Sequence, residues 1–194
     1  MRVISGTARG TKLYSIEDLS TRPTLDRVKE SLFNIIFNEI EDCVALDLFS
    51  GSGAIGIELL SRGAKKVYFN DTNPKCIEMI KRNLNATHLL DKAVISKVEY
   101  KDILKKLKND DVKFDIIYID PPYKSSFGTD SIKLIKEYNL LKENGIVILE
   151  TDEEERDKKI ILEIESDNFK IYDSRKYGRA HLLFLGSRDR KGKM

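Results

Sequence analysis

CVALDLFSGSGAIGIELLSRG, residues 43–63, is the stretch around which the rest of the chain has to be arranged. An apolar run (Val44, Ala45, Leu46) ends on Asp47, and a glycine-rich turn, Ser50-Gly51-Ser52-Gly53, follows. Ala54 to Arg62 then reads as a helix stopped by Gly63. Strand, tight loop and helix make a β-α unit, with Gly63 where a left-handed backbone is tolerated. Glycines at 51 and 53 let a ligand come close to the backbone, and the helix N-terminus offers N–H groups with no helical partner. A plain β-α turn without a ligand is the alternative.

Outward from that loop, Lys66 to Asp71 reads as a second strand closing on an acid. Asn73 is placed to cap the next helix, Pro74 takes its favoured first position, and Ile77, Ile80 and Leu84 supply the buried stripe. Ala93 to Glu99 reads as a third strand, with Asp102-Ile103 in an amphipathic turn after it. Phe114 to Ile119 is a β-prone central strand running into Asp120-Pro-Pro-Tyr123. A helix over about 130–141, a stop at Gly145 and a strand over 146–149 come next. The acidic run Asp152 to Glu155 suits a helix N-terminus, and Phe169 to Tyr177 and Ala180 to Leu185 flank Gly178 as two strands joined by a tight turn.

Before the loop, Gly6 and Gly10 among turn-formers make residues 1–20 an arm or hairpin carrying Arg9 and Lys12. In TRPTLDRVKESLFNIIFNEI, Thr24 is a candidate N-cap, and Val28, Leu32, Ile35, Ile36 and Ile40 recur at helical spacing. Strands alternating with helices predict an α/β fold: a doubly wound, mostly parallel seven-stranded sheet with one antiparallel strand from the closing strand pair. Ligands on such sheets sit at the carboxyl ends of strands, where Asp47, Asp71, Asp102 and Asp120 are all expected.

Bulk properties bound the rest. The 194 residues, 41% hydrophobic and 34% charged, fit a single soluble domain spanning 1–194. No run approaches the ~20 apolar residues of a membrane helix, and MRVISGTARG lacks a signal peptide's apolar core, so a cytoplasmic protein is expected. Cys43 and Cys76 have no CxxC or nearby His, which argues for small core residues and no metal site. His88 and His181 read as structural. Net charge is +2, but Lys170 to Met194 holds eight Lys and Arg against two Asp, ending in a basic tail over 186–194. A basic end on a near-neutral body suits an anionic surface or simple solubility. Nothing demands more than a monomer.

Gly51-Ser-Gly53-Ala-Ile-Gly56 satisfies GxGxxG, and Asp71 lies 20 residues after Gly51, as in dinucleotide sites. Two features pull away from that reading. Asp47, just before the loop, would repel a pyrophosphate and attract a cation, and Asp-Pro-Pro-Tyr has no role in hydride transfer. A sulfonium-bearing nucleoside with an amino acid tail fits better, with Asp71 accepting from its ribose hydroxyls and Asp102 and Ile103 flanking the adenine.

Asp47-Leu-Phe-Ser-Gly-Ser-Gly53 resembles the first motif of Rossmann-like S-adenosylmethionine-dependent methyltransferases, and Asp120-Pro-Pro-Tyr123 resembles the catalytic motif of those acting on exocyclic amines. With MRVISG, RPTLDRVKESLFN, the SRGA after the loop and the KYGRAHLLFL end, the chain is similar along its whole length to the 16S ribosomal RNA guanine-N2 methyltransferases. One departure is that Asp71 stands where that family commonly carries Glu. The resemblance implies S-adenosylmethionine held by Asp47, Phe49, Ser50, Gly51, Ser52, Gly53, Asp71, Thr72, Asp102, Ile103 and Asp120. It implies catalysis by Asp120, Pro121, Pro122 and Tyr123 on a guanine of the guanine-966 type, with 16S rRNA presented in a small-subunit particle. Arg22, Thr24, Arg27, Tyr177 and Arg179 are candidate substrate contacts. Alternatives are an enzyme acting on the N6 amine of adenine, a nucleotide-binding oxidoreductase, and a non-catalytic ribosome-assembly factor.

Overall fold

The computed structural model describes residues 1–15, 23–166 and 169–186, the side chains of 23–27 excepted. Two compact units follow one another, residues 1–100 and 101–194.

The first unit is a parallel β-α repeat. Helix α1 (Pro23–Ile35) precedes strand β1 (Val44–Asp47), α2 (Ala54–Ser61), β2 (Lys66–Asn70), α3 (Pro74–Thr87) and β3 (Ala93–Ser96). Strand β2 lies between β1 and β3, with Asp47 opposite Phe69 and Asn70 opposite Ser96. Helix α3 is set by its ends. The Asn73 side chain accepts from the Lys75 N–H at 2.9 Å, Pro74 is in the first turn, and His88 closes the helix in the left-handed conformation. In α1, Val28, Leu32 and Phe33 are buried whereas Ile35, expected in the buried stripe, is 39% exposed.

An N-terminal hairpin is docked on α2. Val3 N–H donates to the Thr11 carbonyl at 3.0 Å and Gly10 N–H to the Val3 carbonyl at 2.9 Å. Glu58 of α2, fully buried, accepts from Ile4 N (2.8 Å), Ser5 N (2.9 Å) and Arg62 Nε (2.8 Å) and pairs with Lys29 Nζ at 3.1 Å. Gly6 sits at φ +82°, and a Cβ there would stand 1.7 Å from the Ser61 carbonyl oxygen, so only glycine lets the hairpin approach the helix.

The second unit contains α4 (Tyr100–Asn109, whose first residue belongs to the first unit), β4 (Phe114–Ile119), α5 (Phe127–Glu137), β5 (Leu141–Thr151), α6 (Glu154–Leu162), β6 (Lys170–Tyr177) and β7 (Ala180–Gly186). Strands β4 and β5 are parallel, while β7 is antiparallel to both β5 and β6. Ile116, Ile117 and Ile119 of β4 are fully buried, as expected of a central strand covered on both faces. The strand order is β3-β2-β1 in the first unit and β4-β5-β7-β6 in the second, seven mostly parallel strands and six α-helices among the described residues.

Four boundaries differ from the sequence reading. Strand β3 stops at Ser96, and 100–109 is a full helix, so Asp102 lies in a first helical turn instead of at a strand end. Helix α5 starts at Phe127 and ends at Glu137, where Asn139 turns left-handed (φ +51°) and Leu140 N–H returns to the Ile135 carbonyl at 3.0 Å. Gly145 does not stop a helix but lies within β5. That strand pairs Leu141 with Phe114 and then Ile146 with Ile116, leaving 142–145 as a bulge.

Candidate functional site

The glycine loop is braced from every side. Ser50 N–H donates to the Asn70 carbonyl (2.9 Å), Asn70 N–H to Ser50 Oγ (3.0 Å), and Ser50 Oγ–H to the Asp47 carbonyl (2.6 Å). Gly51 and Gly53 adopt φ of +53° and +78°, and a Cβ on Gly51 would meet nothing within 4 Å. The loop's surface there is open to a ligand. Gly56 has a different duty. A Cβ on it would stand 2.2 Å from Phe69 Cε1, so the missing side chain lets α2 lie close on β2.

The N–H groups of all three glycines in the GxGxxG spacing are engaged by acceptors of the chain itself. Gly51 N donates to Asp71 Oδ2 (2.9 Å), Gly53 N to the Ser50 carbonyl (2.7 Å) and Gly56 N to Asp47 Oδ2 (3.0 Å). An anion would find few donors here and two carboxylates. Asp47 is 2% exposed, and its pKa is raised to about 7, first by burial and then by the nearby charge of Asp71, against the lowering effect of the Gly56 N–H. A buried acid held partly protonated is one that a bound cation would ionise. Asp71 accepts from Gly51 N, from Asn73 N (2.8 Å) and from the Cys76 thiol, whose pKa burial and Asp71 push up to about 11. Three of its roughly four acceptor directions are taken, one by a weak thiol donor that a hydroxyl can displace. This set of carboxylate acceptors fits a cationic nucleoside bearing ribose hydroxyls.

In the second unit, β4 delivers Asp120-Pro121-Pro122-Tyr123 at its carboxyl end. Asp120 and Tyr123 are exposed, Tyr123 by 61%. The loop is pinned behind them. Ser125 Oγ–H donates to the Pro122 carbonyl (2.7 Å), and Arg156 Nη2 donates to the Ser125 carbonyl (2.9 Å). Gly128 leaves room for Pro121, whose Cγ would be 3.3 Å from a Cβ placed there. A shallow surface depression lies beside the loop, lined by Pro121, Tyr123, Glu150, Asp152 and Arg156 among others. Glu150 is buried, which raises its pKa, and it accepts a short hydrogen bond from the Tyr118 hydroxyl.

The family model "Conserved hypothetical protein 95" matches residues 1–186. Ribosomal RNA small subunit methyltransferase D of Haemophilus influenzae is 38% identical over 162 residues, 83% of this chain and 82% of its own. The Escherichia coli protein of the same name is 30% identical over 154 residues, 79% of this chain and 76% of its own. The chain belongs to this methyltransferase D family. The solved structure of the Escherichia coli candidate methyltransferase YhhF superposes with a TM-score of 0.80 at 26% identity, covering 96% of this chain and 97% of that one.

Within the methyltransferase D family frame, the remaining expected site residues fall as follows. Phe49 is half-buried and tilts against Tyr100 with ring centroids 5.8 Å apart. Ser50 is buried, Ser52 half-buried and Thr72 exposed. Asp102 is exposed in the first turn of α4 and Ile103 is buried. Tyr177 is half-buried and Arg179 exposed at the β6–β7 turn. Arg22 lies outside the described residues, as do the side chains of Thr24 and Arg27 and the tail beyond Gly186. Among the described residues, no group of three or more His, Cys, Asp or Glu could hold a metal ion, and no helix is long and apolar enough to cross a membrane.

Sequence reasoning missed Asn70 and Asn83. Asn70 Nδ2 donates to the Leu48 (3.3 Å) and Val98 (3.1 Å) carbonyls, tying the end of β1 to the segment after β3. Asn83 Nδ2 donates to the Ser52 carbonyl at 2.9 Å. Both are buried, and a polar residue in a strand end or a mixed helix carries no local mark of that.

Proposed function

We propose that this chain methylates the N2 amine of a guanine in 16S ribosomal RNA, of the guanine-966 type, with S-adenosylmethionine as donor. The observation that carries the reading is the anionic, internally satisfied glycine loop of a methyltransferase D family member that also bears Asp120-Pro-Pro-Tyr123 at a strand's carboxyl end. When bound, S-adenosylmethionine supplies an electrophilic methyl on a sulfonium.

On the donor side, Asp47 balances the cofactor's positive charge and Asp71 accepts from the ribose. Phe49, Ser50, Gly51, Ser52, Gly53 and Thr72 shape the loop, and Asp102 and Ile103 flank the adenine. On the acceptor side, an arylamine is a poor nucleophile because its lone pair is delocalised into the ring. Asp120 and the Pro121 carbonyl accept the two amine hydrogens, favouring a pyramidal nitrogen. Pro121 and Pro122 fix φ and carry no competing N–H, so those acceptors stay in place. Tyr123 stacks on the base once it leaves its RNA context. Asp120 need not be a strong base, because the nitrogen becomes acidic on methylation. Orientation and electrostatics carry the rate.

The substrate is read as an assembled small-subunit particle met by a monomer in the cytoplasm, with Arg22, Thr24, Arg27, Tyr177 and Arg179 as RNA contacts. The near-neutral body would grip free RNA weakly. Mass mapping of ribosomal RNA from cells lacking the protein should show one missing methylguanine, restored by the wild type and not by Asp120→Ala. A complete methylation map, or near-wild-type transfer by Asp120→Ala, overturns the assignment. Equal activity on protein-free transcript overturns the particle.

A further inference from the structure

We propose that Asn83 is a positioning residue that couples occupancy of the glycine loop to docking of the N-terminal segment. Asn83 is fully buried on α3. Its Oδ1 accepts the Tyr14 N–H at 2.8 Å, while its Nδ2 donates to the Tyr14 carbonyl at 2.9 Å and to the Ser52 carbonyl at 2.9 Å. One amide therefore pairs with both backbone groups of Tyr14, 69 positions away, and holds the loop with its remaining hydrogen. The orientation is unambiguous. Flipping it would set an NH₂ against the Tyr14 N–H and an oxygen against two carbonyls.

On the loop side, the Ser52–Gly53 peptide is fixed at both ends, its carbonyl by Asn83 and its N–H by the Ser50 carbonyl at 2.7 Å. On the other side, Tyr14 is held again by the Arg82 guanidinium, 3.4 Å from its ring centroid. A ligand that further slows opening of residues 50–53 is felt at Asn83, and through Asn83 at Tyr14. Fully matched buried polar groups respond as a unit, which makes such a link two-way.

This inference rests on the reading that the loop binds the methyl donor, so its test uses S-adenosylhomocysteine and a readout other than turnover. Titration calorimetry and amide hydrogen exchange are run on the wild type, Asn83→Ala, Asn83→Asp and Leu84→Ala. Leu84→Ala removes a neighbouring buried side chain of the same helix and serves as the stability control. In the wild type, S-adenosylhomocysteine should slow exchange of the Tyr14 amide several-fold. Asn83→Ala and Asn83→Asp, which lack both donors, should bind it about tenfold more weakly and lose the Tyr14 response. Leu84→Ala should keep both. A wild-type Tyr14 amide indifferent to bound S-adenosylhomocysteine, or an Asn83→Ala that behaves like Leu84→Ala, refutes the coupling and leaves the cofactor assignment standing. A wild type that does not bind S-adenosylhomocysteine overturns that assignment and the coupling with it.

Discussion

Asp47→Asn should make the protein more stable and a poorer binder of its donor, and the size of the first effect follows from the site. The Asp47 carboxyl has a pKa of about 7 in the folded chain against 3.8 when unperturbed, chiefly because it is buried. Between those values the folded state holds a proton the unfolded chain has released, so stability falls as pH rises and levels off above about pH 7. At ~1.4 kcal/mol per pH unit, the full gap is roughly 4.5 kcal/mol, of which about 2.5 kcal/mol is lost between pH 5 and 8. Asparagine cannot ionise, yet its oxygen can still accept the Gly56 N–H. Urea denaturation of both proteins at pH 5, 6, 7 and 8 reads the effect directly. The stability difference should grow in favour of Asp47→Asn up to pH 7 and then stay flat. Wild-type affinity for S-adenosylmethionine should rise over the same range while that of the variant stays constant. A stability difference that holds to within about 0.5 kcal/mol across the series would mean that burial does not raise the Asp47 pKa.

Gly56→Ala should destabilise by about 1–3 kcal/mol in urea unfolding, because its Cβ meets the Phe69 ring edge at 2.2 Å; Phe69→Leu in the same chain should recover part of the loss. Glu58→Gln should cost about 3–5 kcal/mol, since it leaves the buried Lys29 ammonium without a counter-charge. Limited proteolysis should then cut first within residues 1–13, and an unchanged digestion pattern would show that the hairpin is not held through Glu58. Tyr123→Phe should keep RNA affinity, whereas Tyr123→Ala should weaken it about 5- to 150-fold through lost stacking, read as KM for the ribosomal particle. Equal KM values for the two variants would remove Tyr123 from the base-binding surface.

What was legible along the chain was what is local. Val44 to Asp47, the glycines after it, and Asn73-Pro74 each specify their own backbone, so β1, the loop and the start of α3 stand where their residues place them. Helix α4 was obscured because Ala93 to Glu99 reads as one long β-prone run, although Tyr100, Ile103, Leu104 and Leu107 form its buried stripe. The polar run at 142–145 looks like a loop after a helix. Only pairing with β4 reveals it as a bulge, since Gly145 sits where a Cβ would meet the Phe114 carbonyl at 2.9 Å. The site divides the same way. Asp47, Asp71 and Asp120 announce themselves by ending strands, but Glu58 and Asn83 act on partners 54 and 69 positions away, and no spacing rule reaches that far.

Spacing alone also cannot choose the ligand, because Gly51-x-Gly53-x-x-Gly56 serves pyrophosphates and methyl donors alike. The choice lies in where the N–H groups go. In an anion site they remain free to point at the ligand. Here Asp71, Ser50 and Asp47 have already taken them, and two of those three acceptors are carboxylates. The loop that would have been an anion cradle is thereby turned into a stiff, electron-rich wall. Burying Asp47 to build that wall is unfavourable, and a cation bound beside it would relieve that cost. On the proposed assignment of Asp47 to the donor site, selectivity for a sulfonium over a neutral thioether, and with it release of the spent donor, would follow from that one buried carboxylate.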